Sequence, residues 1–152
     1  MKQTDKAHWK NWKDTGKHRK WKVRNKTGEL LYADLTERII GFCYEIHSKY
    51  GSGQKETLYQ NLLEEKFSVN DIHYAKEKQI SIKSDETGRI IGNHRLDFVI
   101  DNKVVVETKA IKFTPNKIEQ QLFSYLRNSP YKVGLMINFG SQKLYVRRLI
   151  LT

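Results

Sequence analysis

Apolar residues recur at helical spacing through Leu35, Ile39, Phe42, Cys43 and Ile46, and this stripe predicts a helix over residues 30–49. Asp34 stands at an N-cap position, with Glu37 three residues on as its reciprocal partner. Tyr50-Gly51-Ser52-Gly53 ends the helix, because two glycines free the backbone to turn. A second helix over residues 54–67 carries Leu58, Tyr59, Leu62, Leu63 and Lys66 along its inner edge, and Asn70-Asp71 marks the next turn. The period then shifts to two. Residues 79–83 alternate as a half-buried strand does, Asp85-Glu86-Thr87-Gly88 turns, and residues 89–100 return, bent at Gly92. Residues 103–110 form the next strand. Thr114 caps and Pro115 opens a helix whose face holds Ile118, Gln121, Leu122 and Tyr125, and Asn128-Ser129-Pro130 closes it. Residues 131–139 are apolar apart from Lys132 and Asn138, the pattern of a central strand covered on both sides. Gly140-Ser141-Gln142-Lys143 leads into a last strand, residues 144–150, with the character of an edge. Helix, helix, three antiparallel strands, helix, two strands is the order of a mixed α/β domain.

The charge is unevenly placed. Residues 1–26 hold ten Lys or Arg against two Asp, a balance of +8, while the other 126 residues hold 18 against 15, a balance of +3. Residues 1–28 therefore read as a basic, unstructured tail ahead of a domain at residues 29–152. Lys10, Lys13, Lys17, Arg19, Lys20 and Lys22, interleaved with Trp9, Trp12 and Trp21, are the candidates there for gripping phosphates and stacking on unpaired bases. A solvated charge run is the plainer alternative. Cys43 is the only cysteine, which excludes an internal disulfide, a four-cysteine zinc site and a cysteine-held iron–sulfur cluster within one chain. No run reaches the roughly 18 apolar residues of a membrane span. The first residues lack the apolar stretch of a secretory signal, so the expected location is cytoplasmic, away from membranes.

Candidate chemistry lies in the hairpin RLDFVIDNKVVVETKA, residues 95–110, where Asp97, Glu107 and Lys109 interrupt an apolar surround. Burying an unpaired charge is costly, so three of them there call for a purpose. Glu107 and Lys109 point the same way along a strand, with Thr108 opposite. A two-residue loop, Asp101-Asn102, would pair Asp97 with Val106 and put it on the wrong face. A three-residue loop through Lys103, or a bulge, would set Asp97 against Glu107. Facing carboxylates repel unless a divalent cation sits between them, and hard oxygen ligands suit magnesium or manganese. Lys109, about 7 Å further along, would stabilise the charge that grows as a phosphodiester is attacked. The plainer alternative is a strand edge on which Glu and Lys pair.

With those residues placed, the chain resembles the PD-(D/E)XK nuclease superfamily and, within it, the GxxExxY family. The naming motif matches Gly53-Gln54-Lys55-Glu56-Thr57-Leu58-Tyr59. The match also takes in His47, Arg95-Leu96-Asp97, Glu107-Thr108-Lys109, Gln121-Leu122-Phe123-Ser124-Tyr125-Leu126 and Gly134-Leu135-Met136-Ile137-Asn138-Phe139-Gly140. It spans roughly residues 34 to 150. Leu96 stands where the pattern has proline. The resemblance implies a restriction-endonuclease-like core and a Mg2+- or Mn2+-dependent nuclease. It implies Asp97 and Glu107 as metal ligands with the Thr108 carbonyl, Lys109 as catalytic lysine, Glu56 approaching the metal from the second helix, and Gln121 as a site residue on the helix after the catalytic strand. Glu56 could equally serve the first turn of its helix, where negative charge is favoured. Gln121, if buried on its apolar face, would need partners for its amide. Tyr59 and Tyr125 read as packing residues and His47 as structural. The expected partner is nucleic acid, DNA ahead of RNA, with a homodimer through the last strand left open. The rival is a nuclease-fold module that binds nucleic acid or protein without cutting.

Overall fold

The computed structural model describes residues 31–151. The basic tail and its candidate contacts, Lys10 to Trp21 among them, lie outside the described residues. Three helices, α1 (Ala33–Tyr50), α2 (Glu56–Val69) and α3 (Lys117–Arg127), accompany five strands: β1 (Tyr74–Lys83), β2 (Ile90–Ile100), β3 (Val104–Lys109), β4 (Val133–Asn138) and β5 (Tyr145–Ile150). The strands form one sheet in the order β1-β2-β3-β4-β5, and only the β3–β4 pair is parallel. That parallel pair needs a crossover, which α3 supplies. The predicted element order and mixed α/β class are borne out, and β5 is a sheet edge.

Alternation along the strands divides the core between two faces. Val104, Val106, Val133, Leu135, Ile137 and Ile100 pack with Ile39, Ile40, Cys43 and Ile46 of α1 and Tyr59, Leu63 and Phe67 of α2. Val99, Val105, Met136 and Leu149 pack with Ile118, Leu122 and Leu126 of α3. Every residue of β4 is buried, as a strand covered on both sides requires. Among the described residues no helix is long and apolar enough to cross a membrane.

Several local expectations give way. Asp34 does not cap α1: the N-cap is Tyr32 in a left-handed conformation, and Asp34 sits in the first turn, where its charge meets the positive helix end. Thr114 does not cap α3 either. That helix starts at Lys117 without a side-chain cap, and the Thr114 hydroxyl instead accepts a hydrogen bond from Asn138 Nδ2 at 2.8 Å. β1 begins at Tyr74, five residues before the predicted start, because its exposed Lys76-Glu77-Lys78 hides the strand behind charge.

The β2–β3 hairpin adopts the three-residue loop. Ile100 pairs with Val104 and Phe98 with Val106, and the Lys103 amide donates to the Ile100 carbonyl at 2.9 Å. Asp101 and Asn102 take φ of 50° and 52°, a left-handed pair that these two residue types tolerate. The ladder ends at the Phe98–Val106 pair, one residue short of Asp97 and Glu107, which meet instead through the Asp97 amide and the Glu107 carboxylate. A second irregularity lies on the other side of β2. Phe98 packs against α1 and α2 while Leu96, two residues away, packs against α3. The β1–β2 ladder skips the Glu77–Asp97 pair, and Glu77 has a φ of 55°. Both strands thus switch faces at Asp97, which releases it from regular pairing.

Candidate active site

Asp97, released from the ladder, turns its groups toward β3. Its amide donates to Glu107 Oε1 at 3.1 Å, and its Oδ2 accepts from the Thr108 amide at 2.8 Å. The two acidic residues are therefore locked together through main-chain donors, which hold carboxylates in place without neutralising them. Glu107 is 3% exposed, and Lys109 at the strand end is half-buried.

The opposite face of β3 is also engaged. The Thr108 hydroxyl lies 3.2 Å from Asp97 Oδ2 and 3.4 Å from Glu56 Oε1, and it accepts from Gln60 Nε2 at 2.9 Å. One hydroxyl proton serves only one of the two carboxylates at a time. Gln60 also reaches Glu56 Oε1 at 3.3 Å, one helical turn along α2. Glu56 is the first residue of α2, and its placement owes much to the loop before it. There Tyr59 donates its hydroxyl to the Gly51 carbonyl at 2.5 Å, accepts from the Gln54 amide at 3.1 Å, and stacks on Phe139 at 4.5 Å. Tyr59 packs and ties, as expected. His47 Nε2 lies 3.0 Å from the Ser141 carbonyl oxygen and joins α1 to the β4–β5 turn, a structural role.

On the α3 side a wall covers Glu107. His94 stacks on Tyr125 with ring centroids 3.8 Å apart and planes 9° from parallel. His94 Nε2 stands 3.7 Å from Glu107 Oε2, beyond hydrogen-bond reach, and this buried nitrogen has no hydrogen-bond partner. Gln121 does not join the wall. It is exposed, so the expectation of a buried amide is overturned: the short α3 buries Ile118, Leu122 and Leu126 along one line and leaves Gln121 outside it.

Behind Lys109, Asn138 is fully buried and fully bonded. Its Oδ1 accepts from the Ile111 and Gly140 amides at 3.1 and 2.9 Å, and its Nδ2 donates to the Ile111 carbonyl at 2.9 Å and to Thr114. A Cβ on Gly140 would stand 2.3 Å from the Ile111 nitrogen, so only glycine allows the two backbones this close. The Phe139 amide donates to the Lys109 carbonyl at 2.8 Å. Gln60 and His94 are site-building residues that motif reading passed over, while Asn138 lay inside the matched Gly134 to Gly140 run without a role being read for it. A polar residue in an otherwise apolar strand was the available signal for Asn138.

Burial, and after it the crowding of carboxylates, shows in the acidities. Burial pushes the Glu107 carboxyl above the ordinary range, and the Asp97 charge adds to this, while His94 and the Asp97 amide oppose it. Glu56 is pushed up by burial and by Asp97, against Lys109 and the Thr108 hydroxyl. A carboxyl raised in the fold holds its proton more tightly folded than unfolded. Without metal, the protein should therefore lose stability as pH rises from the ordinary glutamate value through the raised one. Glu107→Gln keeps the acceptor for Asp97 and removes the ionisation. It is expected to flatten that decline and to raise the urea midpoint of the metal-free protein at neutral pH. An unchanged slope or a lower midpoint would contradict a strained, ionised Glu107.

The donor set fits a hard divalent cation in part. Among the described residues no three His, Cys, Asp or Glu side chains are gathered as a complete metal cage. Asp97 and Glu107 are two adjacent carboxylates, and magnesium commonly binds through one or two, keeping waters and substrate oxygens for the rest.

A family model of the PD-(D/E)XK nuclease superfamily matches residues 33–149. Neither the curated proteins nor the solved structures contain a match to the chain. The matched span covers both faces of the sheet and every residue of the site just described.

Proposed function

Because the chain belongs to the PD-(D/E)XK nuclease superfamily, we propose that it hydrolyses phosphodiester bonds in nucleic acid in a metal-dependent reaction. The observation that carries the proposal is the pairing of Asp97 with Glu107 at the end of the hairpin, with Lys109 two residues beyond. Asp97 and Glu107 are the ligands assigned to a magnesium or manganese ion, with the Thr108 carbonyl, and with Glu56 facing the same place from α2. A divalent ion bound there supplies acidification of an attacking water and neutralisation of phosphate charge. Lys109 holds a positive charge beside the reacting phosphate and donates to an oxygen on which negative charge builds. Gln60 and Thr108 orient Glu56, and the His94–Tyr125 wall keeps bulk water from Glu107.

The Gly53 to Tyr59 run supports the finer placement in the GxxExxY family. DNA is the preferred substrate class over RNA, and the β5 edge is the surface offered to a second copy of the chain in a cytoplasmic homodimer. Gln121, exposed on α3, is kept as a substrate-side rather than a buried site residue. The test is cleavage of single- and double-stranded DNA and RNA with magnesium or manganese. Cleavage abolished by chelation supports the proposal. Binding without cleavage under every condition would point to the non-cutting module.

A further inference from the structure

The segment joining β3 to α3 leaves Phe113 78% exposed and Ile111 37% exposed, immediately after Lys109. Asn138 grips this segment on both sides of its tip. It bonds both main-chain groups of Ile111 and the side chain of Thr114, so Lys112 and Phe113 project as a two-residue prong from an anchored base. Phe113 lies four residues past Lys109, so at most about 14 Å of chain separates them. Residues 109–118 contain three lysines and no acidic residue. The Lys112 ammonium stands 5.9 Å from the centre of the Phe113 ring.

We propose that Phe113 is a base-stacking platform, on which an unpaired nucleobase of the substrate rests while the flanking lysines hold its phosphates. The inference builds on the nuclease reading and adds a substrate feature to it: a single strand, or a strand opened beside the cleavage point. An aromatic face accepts any base and binds without reading sequence. A segment with three lysines and no acidic residue of its own matches a polyanion better than the apolar face of a protein partner. The anchored base matters as well, because a prong already held in place gives up little freedom on binding.

The experiment measures anisotropy of a labelled single-stranded oligonucleotide and of its duplex, using the full chain in chelator at several salt concentrations. A second oligonucleotide carrying 2-aminopurine reports stacking by its quenching. Phe113→Ala removes an exposed side chain and should leave the fold intact. It is expected to weaken single-strand binding about tenfold, to spare the duplex and the salt dependence, and to relieve the quenching. Phe113→Trp should restore both readouts. Equal affinity and equal quenching in parent and Phe113→Ala would overturn the platform while leaving the nuclease reading standing. An equal loss on single strand and duplex would also overturn it. A parent that binds neither form would remove the nuclease reading and the platform together.

Discussion

Lys109→Met is expected to lower the rate of metal-dependent cleavage by about 10²- to 10³-fold, with little change in substrate affinity. Methionine keeps the apolar stem that half-buries at the end of β3, so the substitution removes the charge rather than the packing. Among the described residues the Lys109 ammonium makes no ion pair within 4.0 Å. It acts electrostatically on Glu56, whose carboxyl it helps to ionise. A positive group left uncommitted beside three acidic residues is suited to meet the charge that develops on a phosphate, and it contributes little to holding the resting fold. The thermal midpoint of Lys109→Met should therefore stay within a few degrees of the parent. Single-turnover cleavage with saturating enzyme reads the chemical step directly. A variant that cuts at parental speed would dismiss Lys109 from catalysis.

The largest effect on stability is expected at Asn138. Its side chain is fully buried and satisfies the Ile111 amide and carbonyl, the Gly140 amide and the Thr114 hydroxyl. Asn138→Ala leaves those groups without a partner in a space where the close approach of Gly140 to Ile111 gives little room to relax. An unsatisfied buried polar group costs roughly 1–3 kcal/mol, so the loss over this cluster should be about 3 kcal/mol. Urea unfolding measures it. Asn138→Asp keeps the acceptors and loses the donors, so it should be destabilised as well. Because the Phe139 amide holds the Lys109 carbonyl next door, cleavage by the folded fraction should fall too. A change below about 0.5 kcal/mol would mean that the segment after β3 holds its shape without Asn138.

Much of this architecture could be read from the chain because burial writes a period into sequence. The valines of β3 and the apolar run of β4 announce a sheet interior, and the Asp-Asn-Lys turn admitted the three-residue loop that brings the Asp97 amide to the Glu107 carboxylate. Where polar residues serve the interior, the period misleads. Asn138 looked like a blemish in a strand and proves to be the clamp for the following loop. Thr114 looked like a cap because threonine before proline usually is one, yet its hydroxyl is already engaged by that clamp. His94 was invisible for another reason: its meaning depends on Tyr125, 31 residues away on a different element, and on Glu107 across the sheet. Gln121 failed in the opposite direction. Helical spacing placed it beside the apolar stripe, but the stripe of α3 is narrow, and one residue off its centre is already outside.

The central claim is that Asp97 and Glu107 act together on one divalent ion, and calorimetric titration of manganese into the purified protein addresses it without knowledge of the substrate. The same titration is run on Asp97→Asn and Glu107→Gln, and each is repeated with nucleic acid present to complete a weak site. Saturable binding to the parent, lost in both variants, is the predicted result. Binding that persists in either variant, or none to the parent even with nucleic acid, would contradict a shared carboxylate site.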